Sequence, residues 1–394
     1  MANSTNSILF HRFYSGASIC SPTRASILSG RNPLRECIGN AEGCGTKPAW
    51  SCLDRLPFPL PTFTIAEAAK LANYSTIHLG KWHLGDFFYK GNGEHAKLNV
   101  NDNHRRQPAH APSNYAYQKW PVSNPGMHGF DEWRSTEASA PSSTTNCDCN
   151  PVWGQEGNGC IDGGGKWAQH GEGCTNYWYP MDNVSHSCRN MSAPHSILAQ
   201  HCVTNETKKI QGDDSKYIVD HFETFVQKNV ALNQPFLALL WLHTVHEPHP
   251  AMPEFYHAYN DVYGDPAGDY LGTITQMDVQ IGRIREIVVR YNNNTMIWYT
   301  ADNGPHSANR DRSEFPALAA TNGLRQCKAS YYEGGIRVPG ILEWPSVIKE
   351  HSNTWHPSGT VDYLHTILDV LVRIRNLVYF LLLLQPFNQF IPFN

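Results

Sequence analysis

The sequence has no long apolar run. Its longest, Leu377 to Leu384, is eight residues, against the roughly 20 that a membrane-spanning helix needs, so no membrane span is expected. It has no excess of positive charge either. Against 31 Lys and Arg stand 35 Asp and Glu, a net charge of −4, which excludes the basic field of a nucleic-acid binder. Met1 to Phe10, MANSTNSILF, lacks the basic start and apolar core of a secretory signal. No internal repeat stands out. What is present suffices for a sizeable core in one large domain or two: 394 residues, 41% of them hydrophobic.

The interior nonetheless reads as secretory. There are 11 cysteines, and N-x-S/T sequons start at Asn3, Asn73, Asn183, Asn190, Asn205 and Asn293. Six cysteines (Cys147, Cys149, Cys160, Cys174, Cys188 and Cys202) crowd into one stretch. Together these point to an oxidising compartment, lysosomal or extracellular, and to a disulfide-bonded glycoprotein. Cys147-Asp148-Cys149 is too tightly spaced for a standard zinc module. Residues from about 136 to 212 are rich in Ser, Gly, Asn, Cys and Trp without periodicity and read as a stapled, glycosylated insertion. If Cys20 is set aside, ten cysteines remain, enough for five bridges.

Three β-type runs end in polar clusters. Ser75 to Leu79 leads into Gly80-Lys81-Trp82-His83. Phe236 to Leu242 leads into His243-Thr244-Val245-His246, and Met296 to Thr300 into Ala301-Asp302-Asn303-Gly304. Continuous apolar runs suit strands buried in a parallel sheet, and such sheets gather ligands beyond the carboxyl ends of their strands. Helices fall between them. Thr64-Ile65-Ala66-Glu67 reads as a capping box, and helical periodicity covers Ser215 to Lys228 and Tyr270 to Arg290. The alternation predicts an α/β fold.

The most informative stretch is Cys20-Ser21-Pro22-Thr23-Arg24, followed by Ala25 to Gly30. Ser21 suits an N-cap and Pro22 a first helical position, with a helix over Thr23 to Ser29 and Gly30 ending it. Cys20 then sits at a helix N-terminus, where anions are favoured. Arg24 lies one turn on.

This run resembles the sulfatase signature, and four further segments match that family in order: Gly80-Lys81-Trp82-His83-Leu84-Gly85, Val245-His246-Glu247-Pro248, Asp302-Asn303-Gly304, and Lys328 followed by Tyr332-Glu333-Gly334-Gly335-Ile336-Arg337-Val338-Pro339. The resemblance covers about residues 8 to 370. It implies an alkaline-phosphatase-like α/β fold, with a large, mostly parallel sheet flanked by helices, and a formylglycine-dependent, arylsulfatase-like sulfuric ester hydrolase. Cys20 would be converted to formylglycine by a formylglycine-generating enzyme. Cys20, Arg24, His83 and Asp302 would be catalytic. Lys81, His246 and Lys328 would hold a sulfated carbohydrate or aryl sulfate, and calcium would lie on Asp302, Asn303 and residue 20. Arg24 would hold the hydrated aldehyde.

The chain departs from the family pattern in one respect. The family's first strand ends in paired aspartates, whereas the 19 residues before Cys20 contain no Asp or Glu. The sequence therefore predicts a catalytic domain over 1–370 that lacks its first strand, with a central sheet edge left unpaired or a gap in the core, and reads as cut at both ends. Residues 371–394 look foreign to it: an apolar tail of low order, read as a docking strand or helix or equally as read-through of non-coding sequence. A non-catalytic glycan-binding protein or impaired fragment, and a phosphatase or phosphonate hydrolase of the same superfamily, stay open as alternatives.

Overall fold

The computed structural model describes residues 1–39, 58–85, 123–136, 172–180, 203–246, 249, 251–291, 294–306, 321–373 and 379–385. In chain order the elements are β1 (Ser7–Tyr14), α1 (Cys20–Ser29), α2 (Ile65–Leu71), β2 (Ser75–Lys81), β3 (Glu132–Thr136), β4 (Glu172–Pro180), β5 (Val203–Gln211), α3 (Ser215–Ala231), β6 (Phe236–Trp241), α4 (Pro253–Tyr263), α5 (Asp265–Tyr291), β7 (Thr295–Ala301), α6 (Glu333–Ile336), β8 (Arg337–Glu343), β9 (Ser352–Thr354), β10 (Ser358–Gly359), α7 (Asp362–Arg373) and β11 (Tyr379–Gln385). Among the described residues no helix is long and apolar enough to cross a membrane.

The strands form one sheet in the order β10-β1-β8-β7-β11-β6-β2-β3-β4-β5, with β9 also on β1. Its centre, β7-β11-β6-β2-β3, is parallel throughout. The pairs β7–β8, β8–β1, β3–β4 and β4–β5 are antiparallel. Strand side chains alternate between faces, and the two resulting cores have different helical partners. Leu237, Leu239 and Trp241 of β6 pack with Ala25 and Leu28 of α1, Ile65 of α2 and Tyr363 of α7. Ala238 and Leu240 face Ile218 and Phe222 of α3 and Ile281 and Ile284 of α5. This is the expected α/β architecture, helices on both faces of a mostly parallel sheet.

The expected gap does not exist. β11 lies between β6 and β7, parallel to both, with Leu384 level with Trp241 and Thr300. Part of the segment set apart as a foreign tail is thus a central strand. The reason is its composition: an unbroken apolar run suits a strand covered on both faces. Phe380, Leu382 and Leu384 enter one core, Leu381 and Leu383 the other. Residues 386–394 lie outside the described residues.

Three further expectations are modified. α1 begins at Cys20, with Ile19 in the N-cap position and no side-chain cap. Ser21 does not cap, because its hydroxyl donates to the His83 carbonyl at 2.6 Å. Gly30 ends the helix at φ 63°, as expected. The 136–212 insertion supplies β4 and β5, which pair in register from Glu172↔Gln211 to Pro180↔Val203 and extend the sheet beyond β3 through Ser135↔Trp178. Residues 137–171 and 181–202, which hold the other five of its cysteines, lie outside the described residues. Cys327 is a free thiol, so the ten cysteines besides Cys20 do not all pair. The Thr64 capping box is formed as read, with Thr64 N–H donating to Glu67 Oε2 at 2.8 Å and Glu67 N–H to Thr64 Oγ1 at 3.2 Å.

At the other edge, β1 is covered in two pieces: β9 against Ile8 to Phe10 and β10 against Phe13 and Tyr14. Its pairing with β8 shifts register between Phe10 and Phe13.

If β11 is integral to the core, Leu382→Ala will lower unfolding free energy in urea by about 2–5 kcal/mol, the cost of a buried large-to-small change. A midpoint unchanged from the wild type would mean that the strand is dispensable.

Candidate active site

The carboxyl ends of β2, β6 and β7 open at one edge of the sheet, and α1 packs beneath them with its first residue among them. Cys20 is buried, its Sγ 3.5 Å from Asn303 Oδ1 and 3.6 Å from Lys81 Nζ. Lys81 is 1% exposed. Asn303 follows β7, and its amide nitrogen donates to the Gly304 carbonyl at 2.8 Å, which leaves its Oδ1 to the thiol.

Arg24 lies one turn along α1 and is fully buried. It donates to Asp302 Oδ2 at 2.7 Å and to the Lys81 carbonyl at 2.5 Å, and sits 4.9 Å from the Trp241 ring centroid. One guanidinium therefore joins α1 to the ends of β2, β6 and β7. Its hydrogen bonds go to Asp302 and Lys81, so it acts on residue 20 through charge.

Lys328 is brought in by a loop clamped at both sides: its N–H donates to the Pro305 carbonyl at 2.7 Å, and the Ala329 N–H to the Ser18 carbonyl at 2.9 Å. The clamp depends on close backbone approach. A Cβ on Gly304 would lie 1.9 Å from the Gly334 carbonyl oxygen, and one on Gly335 would lie 1.9 Å from that of Ser330. His83 is half-buried at φ 55°, with a buried Nδ1 lacking a hydrogen-bond partner. His246 stands half-buried on the turn after β6, its N–H on the His243 carbonyl at 2.8 Å. His306 is exposed.

The electrostatics follow from burial of like charges. Burial alone would raise the Cys20 thiol, but the cations of Lys328, Lys81 and Arg24 outweigh it and bring the thiol down to about 6. Burial lowers Lys81 to about 8, against the opposing charge of Cys20. His83 lies well below the ordinary imidazole range, through burial and then the nearby Lys81 and Arg24 charges, so it is neutral near pH 7. Burial, then the charge at Cys20, raises Asp302 to about 6, and its Oδ1 is buried without a donor. The pocket thus combines cations, a reactive residue and an uncompensated carboxylate oxygen. It stabilises an anion at the thiol.

Cys20, Arg24, Lys81, His83, Asp302, Asn303 and Lys328 are brought together. The sequence gives no role to His243, and Thr136, Tyr177, Asp213 and Asp214 carry no motif, yet all five are buried at this end of the sheet. The only available signal was the adjacent acidic pair Asp213-Asp214 before a helix.

Three outcomes test this geometry. In chain bearing an unmodified Cys20, alkylation by iodoacetamide will rise with a midpoint near pH 6. Lys328→Met will move that midpoint upward, since a cation is removed. Arg24→Met strands Asp302, and urea unfolding should show a loss of about 3–5 kcal/mol. An unshifted midpoint or unchanged stability would contradict the arrangement.

A family profile described as Sulfatase matches residues 1–373. Rat (Rattus norvegicus) steryl-sulfatase is 26% identical over 391 residues, covering 89% of this chain and 58% of that protein. Pig (Sus scrofa) N-acetylgalactosamine-6-sulfatase is 24% identical over 368 residues, covering 92% and 54%. The chain therefore spans little more than half the length of these curated relatives. The solved structure of BT4656 in complex with its substrate D-glucosamine-2-N,6-O-disulfate aligns at a TM-score of 0.56 and 15% identity, covering 94% of this chain and 71% of that one. With a family profile spanning nearly its whole length and its five motifs in order along one α/β sheet, the chain belongs to the sulfatase family.

Proposed function

We propose that the protein hydrolyses sulfate monoesters with residue 20, as formylglycine, at the reacting position. The carrying observation is the convergence of Lys81, Lys328 and Arg24 on Cys20 at the start of α1. A sulfate monoester is an anion whose leaving oxygen gains charge in the transition state, and fixed cations in a dry site stabilise that charge.

Formylglycine would supply a hydrated aldehyde, with a hydroxyl as nucleophile toward sulfur. Calcium suits the orphaned Asp302 Oδ1 and the Asn303 Oδ1. Both are hard oxygens, two of the six to eight that the ion takes, and the cation would draw negative charge from the sulfate. Lys81, within 3.6 Å of Sγ, holds sulfate oxygens against residue 20. Arg24 keeps Asp302 ionised and in place. Neutral His83 accepts a proton at a ring nitrogen, which suits it as the base that releases sulfate from residue 20. Lys328 or His246 would give a proton to the leaving alcohol oxygen.

The substrate class proposed is a sulfated carbohydrate or aryl sulfate, and the partner before catalysis is a formylglycine-generating enzyme. The proposed compartment is the secretory pathway, lysosomal or extracellular. Sequon residues Asn3 and Asn73 are exposed, which suits glycan attachment.

Peptide mass spectrometry on protein from its native host should find formylglycine at residue 20. 4-Methylumbelliferyl sulfate should be turned over with calcium, and Cys20→Ala should abolish this. Only unmodified cysteine, together with no turnover in calcium, would favour a non-catalytic, glycan-binding role.

A further inference from the structure

Behind the turn that carries His246 lies a second buried polar cluster. Asp214 is fully buried, and its Oδ2 meets His243 Nδ1 at 2.5 Å and accepts from the Tyr177 hydroxyl. The other ring nitrogen of His243, Nε2, meets Thr136 Oγ1 at 2.7 Å. Both nitrogens of the ring beside Asp214 are thus engaged, one by its carboxylate and one by the Thr136 hydroxyl. Next to it, Asp213 accepts from Thr244 at Oδ2, and from Gln276 Nε2 at 2.5 Å and Ser215 Oγ at 2.7 Å at Oδ1.

The cluster draws on the start of α3, the ends of β3 and β6, and on β4 and α5. Apolar packing could hold these elements together, but it would not fix the rotation of a ring. Hydrogen bonds to both nitrogens do. The two outlets of the cluster lead to the candidate active site. The Thr136 carbonyl accepts from the Trp82 N–H at 2.9 Å, between Lys81 and His83, and the His243 carbonyl accepts from the His246 N–H at 2.8 Å. One imidazole therefore ties the segment that holds Lys81 and His83 to the turn that holds His246.

We infer that Asp214, His243 and Thr136 act as positioning residues for sulfate-ester hydrolysis, setting His246 relative to Lys81 and His83. This rests on the functional reading above. Asp214 orients the ring, the ring spans β6 and β3, and the backbone of each passes the constraint to a site residue.

The test compares kcat and KM for 4-nitrophenyl sulfate in full chain carrying Thr136→Val, Thr136→Ser, Asp214→Asn, and Thr136→Val with Asp214→Asn. Thr136→Val and Asp214→Asn should each lower kcat by about ten- to a hundredfold, since small misplacements of catalytic groups cost rates of that order. Near-UV circular dichroism should stay native. Thr136→Ser, which keeps the hydroxyl, should retain wild-type kinetics. The double variant should be no slower than the worse single one, because both act through one ring. Wild-type kcat in Thr136→Val, or losses that multiply in the double variant, would overturn the inference. If Asp214→Asn does not fold, the Val and Ser pair at 136 decides by the same criterion. If the wild type turns over no sulfate ester, the functional reading fails, and the inference is then read by amide hydrogen exchange. Thr136→Val should speed exchange in peptides spanning 81–85 and 242–246 together, and exchange unchanged in either would overturn it.

Discussion

A guanidinium wholly removed from water has to be met by opposite charge and hydrogen bonds, or its desolvation is ruinous. Arg24 is in that position, and each of its contacts belongs to a different part of the fold: the carboxylate after β7, the last carbonyl of β2, and the indole that ends β6. Being planar and forked, the group imposes directions as well as distances on these partners. Cys20 sits on the same helix, one turn earlier, and so takes its place from this registration. The loop with Lys328 then closes on the assembled edge through backbone contacts that only glycines at 304, 334 and 335 permit.

The sheet makes this convergence available. In five parallel neighbours every carboxyl end faces the same way, and the residues after them meet without any further device. β11 keeps that array continuous, filling the space between β6 and β7 with apolar side chains on both faces. The resulting site is rich in cations. Its histidine at 83 is neutral and its thiol is held as an anion near neutral pH. Such a site selects for an anionic ligand by its electrostatics before any shape is considered.

Much of this is legible in the chain, and what is not has a physical reason. β6 and β7 announce themselves because a strand buried on both faces needs a mostly apolar run, and His243 and Asp302 mark where each run stops. The Thr64 box is local chemistry and is read locally. β11 is left open between a docking strand, a helix and a loose tail because its run, Leu377 to Leu384, looks the same in each; its meaning comes from partners at Leu237 and Met296, far along the chain. β4 and β5 carry no alternation that marks them as strands. The start of α1 is off by a residue or two because the Ser21 hydroxyl is drawn to His83. Asp214 and Tyr177 leave no motif at all, since only the fold brings them to His243.

The outer side of β1 carries a consequence of another kind. A long, open strand edge is a template on which other chains can add. Here that side is occupied in two short lengths, by three residues of β9 and two of β10, while the strand's own register slips between Phe10 and Phe13. No straight row of free amides is left along it for a second molecule to continue. A second molecule meets two short, offset strands at this margin in place of one long one, which disfavours strand-by-strand self-association.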